Sequence, residues 1–229
     1  MNSRIAFLVV AILSLPMFLW ETVLSIVNGN FQLFYYFTIL TNALTWLYFA
    51  MKVVYVAFSP KFTGFSTSES KFDRFLTMYS AFDTVNIFFV FIVFWTMLSF
   101  TTKWAFTLSM AFNLCDHLIV PVFKMIDLFL FTPLDFDHKL LYKLCILYPL
   151  LYYIFSTIRG LLSPDHMYPY WFMDPAKISY SMIVVWFIIL LAAFLFFTWA
   201  FVRICEFIKN RRERRVLLTD TMVFCVCFK

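Results

Sequence analysis

The stretch that decides the fold class runs from residue 177 to residue 205 and reads KISYSMIVVWFIILLAAFLFFTWAFVRIC. It has no charged side chain between Lys177 and Arg203, and it lacks the alternation of apolar and polar residues that is typical of strands. A helix of about 20 apolar residues crosses the hydrocarbon core of a bilayer and satisfies its own backbone hydrogen bonds there. The stretch therefore predicts a membrane-spanning helix.

The same argument applied to the whole chain predicts an all-α, polytopic membrane helix bundle. Of the 229 residues, 63% are hydrophobic and 14% are charged, which is too few polar residues to cover a soluble domain of this size. We expect an integral multi-pass protein, located in a cell membrane or, in a eukaryote, in an endomembrane. Residues 1–208 form the predicted domain, with six spans at about 5–27, 31–58, 74–101, 104–131, 139–162 and 177–205.

Lysine and arginine predict the orientation. The segments on the N-terminal side of the membrane are rich in them, and Lys52 is counted there, whereas the opposite loops hold only Lys103 and Lys177. The positive-inside rule therefore predicts that both termini are cytoplasmic. Residues 209–229 form a basic tail that suits an anchor on anionic headgroups and gives no reason to expect nucleic-acid binding.

Local signals predict where helices begin and end. Ser70 followed by Asp73 is typical of an N-terminal cap, and Thr132 before a proline predicts the end of the span 104–131. Asp174 followed by Pro175 predicts the start of the last helix.

Polar side chains share one face of each of the inner predicted spans. At 100° per residue they form arcs, which are Asn113, Asp116, His117, Lys124 and Asp127 in 104–131; Thr38, Thr41, Asn42 and Thr45 in 31–58; Tyr79, Asp83 and Asn86 in 74–101; and Tyr148, Tyr152 and Arg159 in 139–162. Such groups are costly in hydrocarbon, so we expect the first five helices to surround a polar cavity, with the sixth at its edge. The alternative is that Thr and Asn only join helices, and that Lys124 and Asp127 snorkel or pair near the inner end.

Thr38 and His117 are the candidate catalytic residues. An imidazole titrates near ~6.5 and can act as the base that a hydroxyl nucleophile requires. Further groups can orient the base, polarise an ester carbonyl or hold a carboxylate, and the candidates are Asn113, Asp116, Asp83, Asn42, Tyr148, Tyr152 and Arg159. No metal or cofactor is expected, because no His, Cys, Asp and Glu set has zinc spacing and the five cysteines are scattered.

The aromatic stretch between the last two predicted spans lies on the outer side. Tyr168 and Tyr170, followed by Asp174, either cap the mouth of the cavity or only anchor the chain at the interface.

Four segments in order resemble the androgen-induced protein and androgen-dependent TFPI-regulating protein family of integral membrane proteins, and its bacterial members most closely. They are YFTILTN at 36–42, HLIVP at 117–121, YPLLY at 148–152 with Arg159 and Gly160, and YPY at 168–170 with Phe172 and Asp174. The resemblance implies a six-span fold. It also implies cleavage of fatty acid esters of hydroxy fatty acids, with Thr38 as nucleophile and His117 as its base.

Three classes of function remain open from the sequence. The first is an intramembrane hydrolase of lipid esters, whose amphiphilic substrate reaches the site sideways from the bilayer. The second is a proton- or cation-coupled transporter or small-ligand binder that uses Asp83, Asp116, His117 and Asp127. The third is a structural membrane protein with a closed, fully paired core. Membrane lipids are partners in each case, and the sequence leaves the oligomeric state open.

Overall fold

The computed structural model describes residues 22–29, 34–58, 70–101, 107–163 and 167–227, which form helices and their connections without any strand. Most of the predicted first span lies outside these residues. Three of the labelled helices are continuous: α1 is Phe37–Phe58, α4 is His138–Leu162 and α5 is Tyr180–Cys227. α2 is an α-helix, Lys71–Val93, that continues as a π-helical turn, Phe94–Leu98, and a 3-10 turn, Ser99–Thr101. α3 consists of Leu108–Leu114, a π-helical turn, Cys115–Ile119, and Val120–Phe131.

Four helices in the described part of the chain are long and apolar enough to cross a membrane. They cover Phe37–Ala57, Lys71–Leu98, His138–Leu162 and Tyr180–Arg212. This agrees with an integral, all-helical membrane protein, whereas six spans and the orientation of the termini stay predictions. α3 is not among the four, and it carries Asp116, Lys124 and Asp127.

Two predicted helix boundaries are confirmed. Ser70 and Asp73 form a capping box, in which the Ser70 Oγ accepts from the Asp73 N–H at 3.0 Å and the Asp73 Oδ2 accepts from the Ser70 N–H at 3.2 Å. α3 ends at Phe131, directly before Thr132 and the proline that follows it.

The predicted start of the last helix at Asp174 and Pro175 is wrong. The Asp174 carbonyl accepts from the N–H groups of Lys177 and Ile178, so this stretch closes as a separate turn. α5 begins only at Tyr180, where the Ser179 Oγ accepts from the Met182 N–H at 3.4 Å. Asp174 therefore caps a turn inside the connection and not the helix itself.

α5 continues through residues 209–227 as one helix, without a break before the basic tail. Residues 206–212 of this helix lie against the connection between α3 and α4 and the adjoining helix ends. Lys209 Nζ is 2.6 Å from Asp135 Oδ1, Glu206 Oε1 is 3.4 Å from His138 Nδ1, and Arg212 donates to the carbonyl of Phe129. These contacts place residues 206–212 at the same end of the bundle as the α3–α4 connection.

α2 is the central helix of the bundle and contacts α1, α3, α4 and α5. The largest buried cluster joins α2, α3, α4 and α5 through side chains such as Val85, Leu128, Leu141 and Phe194. Burial differs strongly between the helices. Half of the most apolar window of α1 is buried, compared with 17% for α4 and 11% for α5. In a bilayer, α4 and α5 therefore present most of their surface to lipid.

Candidate functional site

A cavity of about 780 Å³, counting the open space at its mouth, lies between the described helices. Thr38 from α1 and His117 from α3 both line it, and both side chains are more than nine-tenths buried. The rest of the described lining is apolar or aromatic, namely Phe37, Phe89, Val90, Val93, Leu98, Pro149, Tyr152, Tyr153, Tyr170, Phe172, Met173, Phe187, Leu190, Leu191 and Phe194. The expectation of a broadly polar cavity is therefore not met, and the last helix lines the cavity instead of lying at its edge.

His117 lies in the π-helical turn of α3 and is held by aromatic contacts. Its ring stacks on Phe94, with centroids 3.8 Å apart and planes 9° apart, and Phe94 begins the π-helical turn of α2. Pro121, four residues after His117, has no N–H to donate to the His117 carbonyl, and the indole N–H of Trp95 donates to it at 3.1 Å instead. Among the described residues, His117 Nδ1 has no hydrogen-bond partner. π-helical turns are frequent at functional sites.

Asn42 connects the backbone segments that carry the two candidate residues. Its side-chain amide donates to the Thr38 carbonyl at 2.9 Å and to the Asp116 carbonyl at 3.4 Å. The amide therefore spans from α1 to the π-helical turn of α3, next to His117. No hydrogen bond joins the Thr38 hydroxyl to the His117 ring in the described part of the chain.

Tyr170, in the connection between α4 and α5, lines the cavity close to the Thr38 side chain. Burial of its hydroxyl raises the pKa of Tyr170, so the phenol stays protonated and can donate a hydrogen bond. The ring is fixed by Phe172, stacked at 5.1 Å, and by Tyr36, edge-on at 5.8 Å.

The other tyrosines of the predicted site bind protein groups. The Tyr152 hydroxyl donates to the Tyr35 carbonyl at 2.9 Å, while its ring lines the cavity. The Tyr148 hydroxyl lies 3.2 Å from the Thr41 Oγ1, and its ring packs on Phe37 without lining the cavity. Tyr152 thus contributes to the cavity wall, and Tyr148 supports it from behind.

Asn113 and Asp116 accompany His117 on α3. The Asn113 Oδ1 is buried without a hydrogen-bond partner among the described residues. Asp116 is buried, and its carbonyl receives the Asn42 bond. Asp83, in contrast, accepts from the Thr45 hydroxyl at 2.9 Å and lies 3.5 Å from Lys124 Nζ. Asp83 is therefore engaged by groups other than His117.

A buried charged cluster lies apart from the cavity lining. Lys52 Nζ is 2.7 Å from Asp127 Oδ1, and the Tyr48 hydroxyl donates to Asp127 Oδ2 at 2.8 Å. Lys124 Nζ donates to Ser80 at 2.9 Å and lies 3.1 Å from the centre of the Tyr48 ring. Lys124 and Asp127 are 0% and 1% exposed, so neither snorkels. With Asp83 included, two lysines balance two aspartates.

Lys52 and Tyr48 belong to this cluster but are not among the residues predicted from the sequence. Lys52 was used only as an orientation charge. Tyr48 follows Thr45 by three residues and Lys52 follows Tyr48 by four, so both lie on the face that already carries Thr41. This continuation of the polar face is the sequence feature that could have predicted that Lys52 and Tyr48 are buried with the other polar residues.

The residues predicted at the cavity mouth divide into two groups. Tyr170 lines the cavity, whereas Tyr168 packs against Gly160 of α4, so closely that a Cβ there would meet its ring. Arg159 donates to the Met167 carbonyl at 2.6 Å and lies over the Tyr35 ring at 3.6 Å. Asp174 pairs with Lys177 at 3.5 Å. Arg159 and Asp174 therefore hold the connection in place and are not part of the lining.

The described residues contain no group of three or more His, Cys, Asp or Glu side chains that could hold a metal ion. Fold and cavity together define a class: a helical protein with membrane-capable helices and a mainly apolar cavity that contains a threonine and a histidine. Comparisons with family models, with curated proteins and with solved structures find no match to this chain.

Proposed function

We propose that this protein is an intramembrane hydrolase of lipid (fatty acid) esters, with Thr38 as nucleophile and His117 as general base. The observation that carries the proposal is that both side chains line one otherwise apolar or aromatic cavity. An apolar lining accommodates an acyl chain, and a few polar groups in it are what a site for ester chemistry requires. The resemblance to the androgen-induced protein family belongs to the same proposal.

The reaction needs only groups of this chain and water. The Thr38 hydroxyl oxygen attacks the ester carbonyl carbon while His117 takes the hydroxyl proton. The bond from the carbonyl carbon to the alcohol oxygen breaks, and His117 returns the proton to the departing oxygen. A water molecule, deprotonated by His117, then attacks the acyl–Thr38 ester and releases the fatty acid. The His117 ring has to move into hydrogen-bond reach of Thr38 when substrate is bound, which is common for catalytic pairs without ligand.

Tyr170 is the best-placed group for the negative charge that develops on the carbonyl oxygen. Its protonated hydroxyl lies close to the Thr38 side chain, where the tetrahedral intermediate would form. A donor at this position stabilises the oxyanion, and removing one such donor costs on the order of 10²–10³ in rate. Tyr152 is less suitable because its hydroxyl is donated to the Tyr35 carbonyl.

The direct test is labelling of the purified protein with a fluorophosphonate probe. We expect the wild type to be labelled and the Thr38→Ala and His117→Ala variants to lose labelling, because one lacks the nucleophile and the other its base. Thr38→Ser keeps a hydroxyl and should remain reactive. Thr41→Ala is the matched control, since Thr41 is also a buried threonine of α1 but is bonded to Tyr148 away from the lining.

The proposal fails if a well-folded wild type is not labelled, or if Thr38→Ala reacts like the wild type. Lipid esters would then not be the substrates to screen. In either case, proton flux in liposomes becomes the next measurement.

The second candidate function is a proton- or cation-coupled transporter, and the charged cluster is the observation that favours it. Ionisable side chains at membrane depth often mark ion pathways. Here, however, each aspartate of the cluster has a lysine within 4 Å, which also fits a purely structural role. Proton uptake by proteoliposomes that is lost in Asp127→Asn would support transport, and its absence in the wild type would exclude proton coupling.

A further inference from the structure

The wall of the cavity toward lipid is formed by α4 and α5. Among the four membrane-capable helices of the described residues these two are the least buried, and their outer faces are apolar. On α4, Leu151, Ile154 and Phe155 are exposed, and on α5 Val184 and Ile188 are. A ligand that leaves the cavity between these helices therefore passes directly into the hydrocarbon of the bilayer.

An aromatic pair joins the two helices in this wall. The rings of Tyr153 on α4 and Phe187 on α5 lie 4.3 Å apart, centroid to centroid, and both residues line the cavity. Both side chains are only partly buried, so they are accessible on at least one side of the wall. The contact consists of two aromatic side chains, and the pair of His138 on α4 with Glu206 on α5 lies at the end of the bundle that carries the α3–α4 connection. Side-chain rotamer changes are fast compared with motions of whole helices.

We propose that Tyr153 and Phe187 form a lateral gate through which the acyl chain of a membrane lipid enters the cavity. The other boundaries of the cavity are firmer. Phe89 and Phe194 close one end edge-to-face at 4.6 Å, and Phe194 is 1% exposed. At the other end, the stacked rings of Tyr170 and Phe172 are held by the α4–α5 connection. The chain then lies between these two ends, beside Thr38 and His117.

The volume limits the occupant to one chain. A methylene group is about as large as a water molecule, roughly 30 Å³, so a chain of 16 to 18 carbons needs on the order of 500 Å³. The cavity holds about 780 Å³ with its mouth included, which leaves no room for two such chains. The gate thus leads to a cavity that holds at most one such chain. If the gate serves a hydrolytic site, it rests on the proposed function. If it only admits a chain that binds in the cavity, it does not.

The test measures how fast a chain enters and leaves, in a background that cannot turn over. The Thr38→Ala protein in nanodiscs is mixed with cis-parinaric acid, and energy transfer from the protein tryptophans is followed by stopped flow, with empty nanodiscs subtracted. Tyr153→Ala and Phe187→Ala should each raise both the association and the dissociation rate roughly two- to tenfold, the loss of one aromatic pair at the barrier. The dissociation constant should change less than either rate.

Phe196→Ala is the matched control, because Phe196 is also a phenylalanine of α5 but is 68% exposed and does not line the cavity. It should behave like the parent. If a truncation unfolds the protein, Phe187→Leu keeps most of the bulk without the ring and should shift the rates in the same direction. Rates that are equal in all folded variants, or a parent that does not bind the probe, overturn the gate.

The two proposals fail separately. Faster exchange in the gate variants together with a wild type that cleaves no ester leaves the gate in place and removes the hydrolase. Ester cleavage with exchange rates that ignore Tyr153 and Phe187 keeps the hydrolase and removes the gate.

Discussion

Asn42 is the residue whose single side chain joins the two halves of the candidate site. Its amide donates to the Thr38 carbonyl within α1 and to the Asp116 carbonyl across to α3. The Asp116 carbonyl lies in the π-helical turn, and the Asn42 amide gives it a hydrogen-bond donor from outside its own helix. Asn42 therefore sets the distance between the segments of Thr38 and His117, without having to touch a substrate.

The Asn42→Ala variant should lose reactivity more than stability. We expect fluorophosphonate labelling to slow roughly ten- to hundredfold, because small misplacements of catalytic groups cost this much. The free energy of unfolding should fall by about 0.5–1.5 kcal/mol for each of the one or two hydrogen bonds lost, which lowers the thermal midpoint. Asn86→Ala is the control, since the buried Asn86 donates to the Phe82 carbonyl of its own helix and to no other helix among the described residues. Equal slowing in both variants would show that Asn42 has no positioning role.

Lys52 and Asp127 test whether the charged cluster is structural. Lys52→Met leaves the buried carboxylate of Asp127 without its closest cation, and such losses destabilise proteins by about 3–5 kcal/mol. The double variant Lys52→Met with Asp127→Leu removes both charges and leaves Lys124 with Asp83. We expect the double variant to recover most of the stability in thermal unfolding of the detergent-solubilised protein. A double variant as unstable as the single one would mean that the cluster needs all four charges.

At the scale of elements, the connection between α4 and α5 is fixed to α4 at several points. Arg159 holds the Met167 carbonyl, and the Tyr168 ring lies on Gly160, where no other side chain fits. Two residues later, Tyr170 lines the cavity close to Thr38. Glycine at 160 thus allows a close approach that determines where the hydroxyl of Tyr170 lies.

Gly160→Ala should displace the Tyr168 ring and, with it, Tyr170. We expect slower fluorophosphonate labelling, because the donor next to Thr38 moves. The check is a double-mutant cycle with Tyr168→Ala, which removes the ring that the new methyl group meets. In the Tyr168→Ala background, Gly160→Ala should have little further effect. Additive effects of the two substitutions would show that the contact does not position Tyr170.

At the scale of the whole molecule, the sequence predicts those features that depend on one segment at a time. Apolar length identifies α1, α2, α4 and α5, and the capping box at Ser70 marks a helix start. Pairing across the chain is different, because Asp83 could face either His117 or Lys124 from its position on the helix alone. The structure selects Lys124. The apolar lining could not be predicted from the sequence either, because most polar faces of the helices pack against each other and not around the cavity.

The orientation of the bundle is a prediction that the structure now makes testable at specific residues. Contacts between Lys209 and Asp135, and between Lys52 and Thr132, place these four residues at one end. The contact of Arg159 with Met167 belongs to the connection at the other ends of α4 and α5. The first end is rich in lysine and arginine, so it should be cytoplasmic.

Single cysteines in a cysteine-free variant can report this orientation. In intact cells, a membrane-impermeant maleimide should label Met167→Cys and Lys177→Cys, which lie in the exposed α4–α5 connection. It should label Asp135→Cys only after the membrane is permeabilised, because this residue lies at the lysine-rich end. The reverse pattern would invert the bundle, whereas labelling of all three positions in intact cells would contradict a membrane-spanning arrangement of α4. The predicted pattern would place Tyr170 and the mouth of the cavity in the half of the membrane opposite to the basic tail.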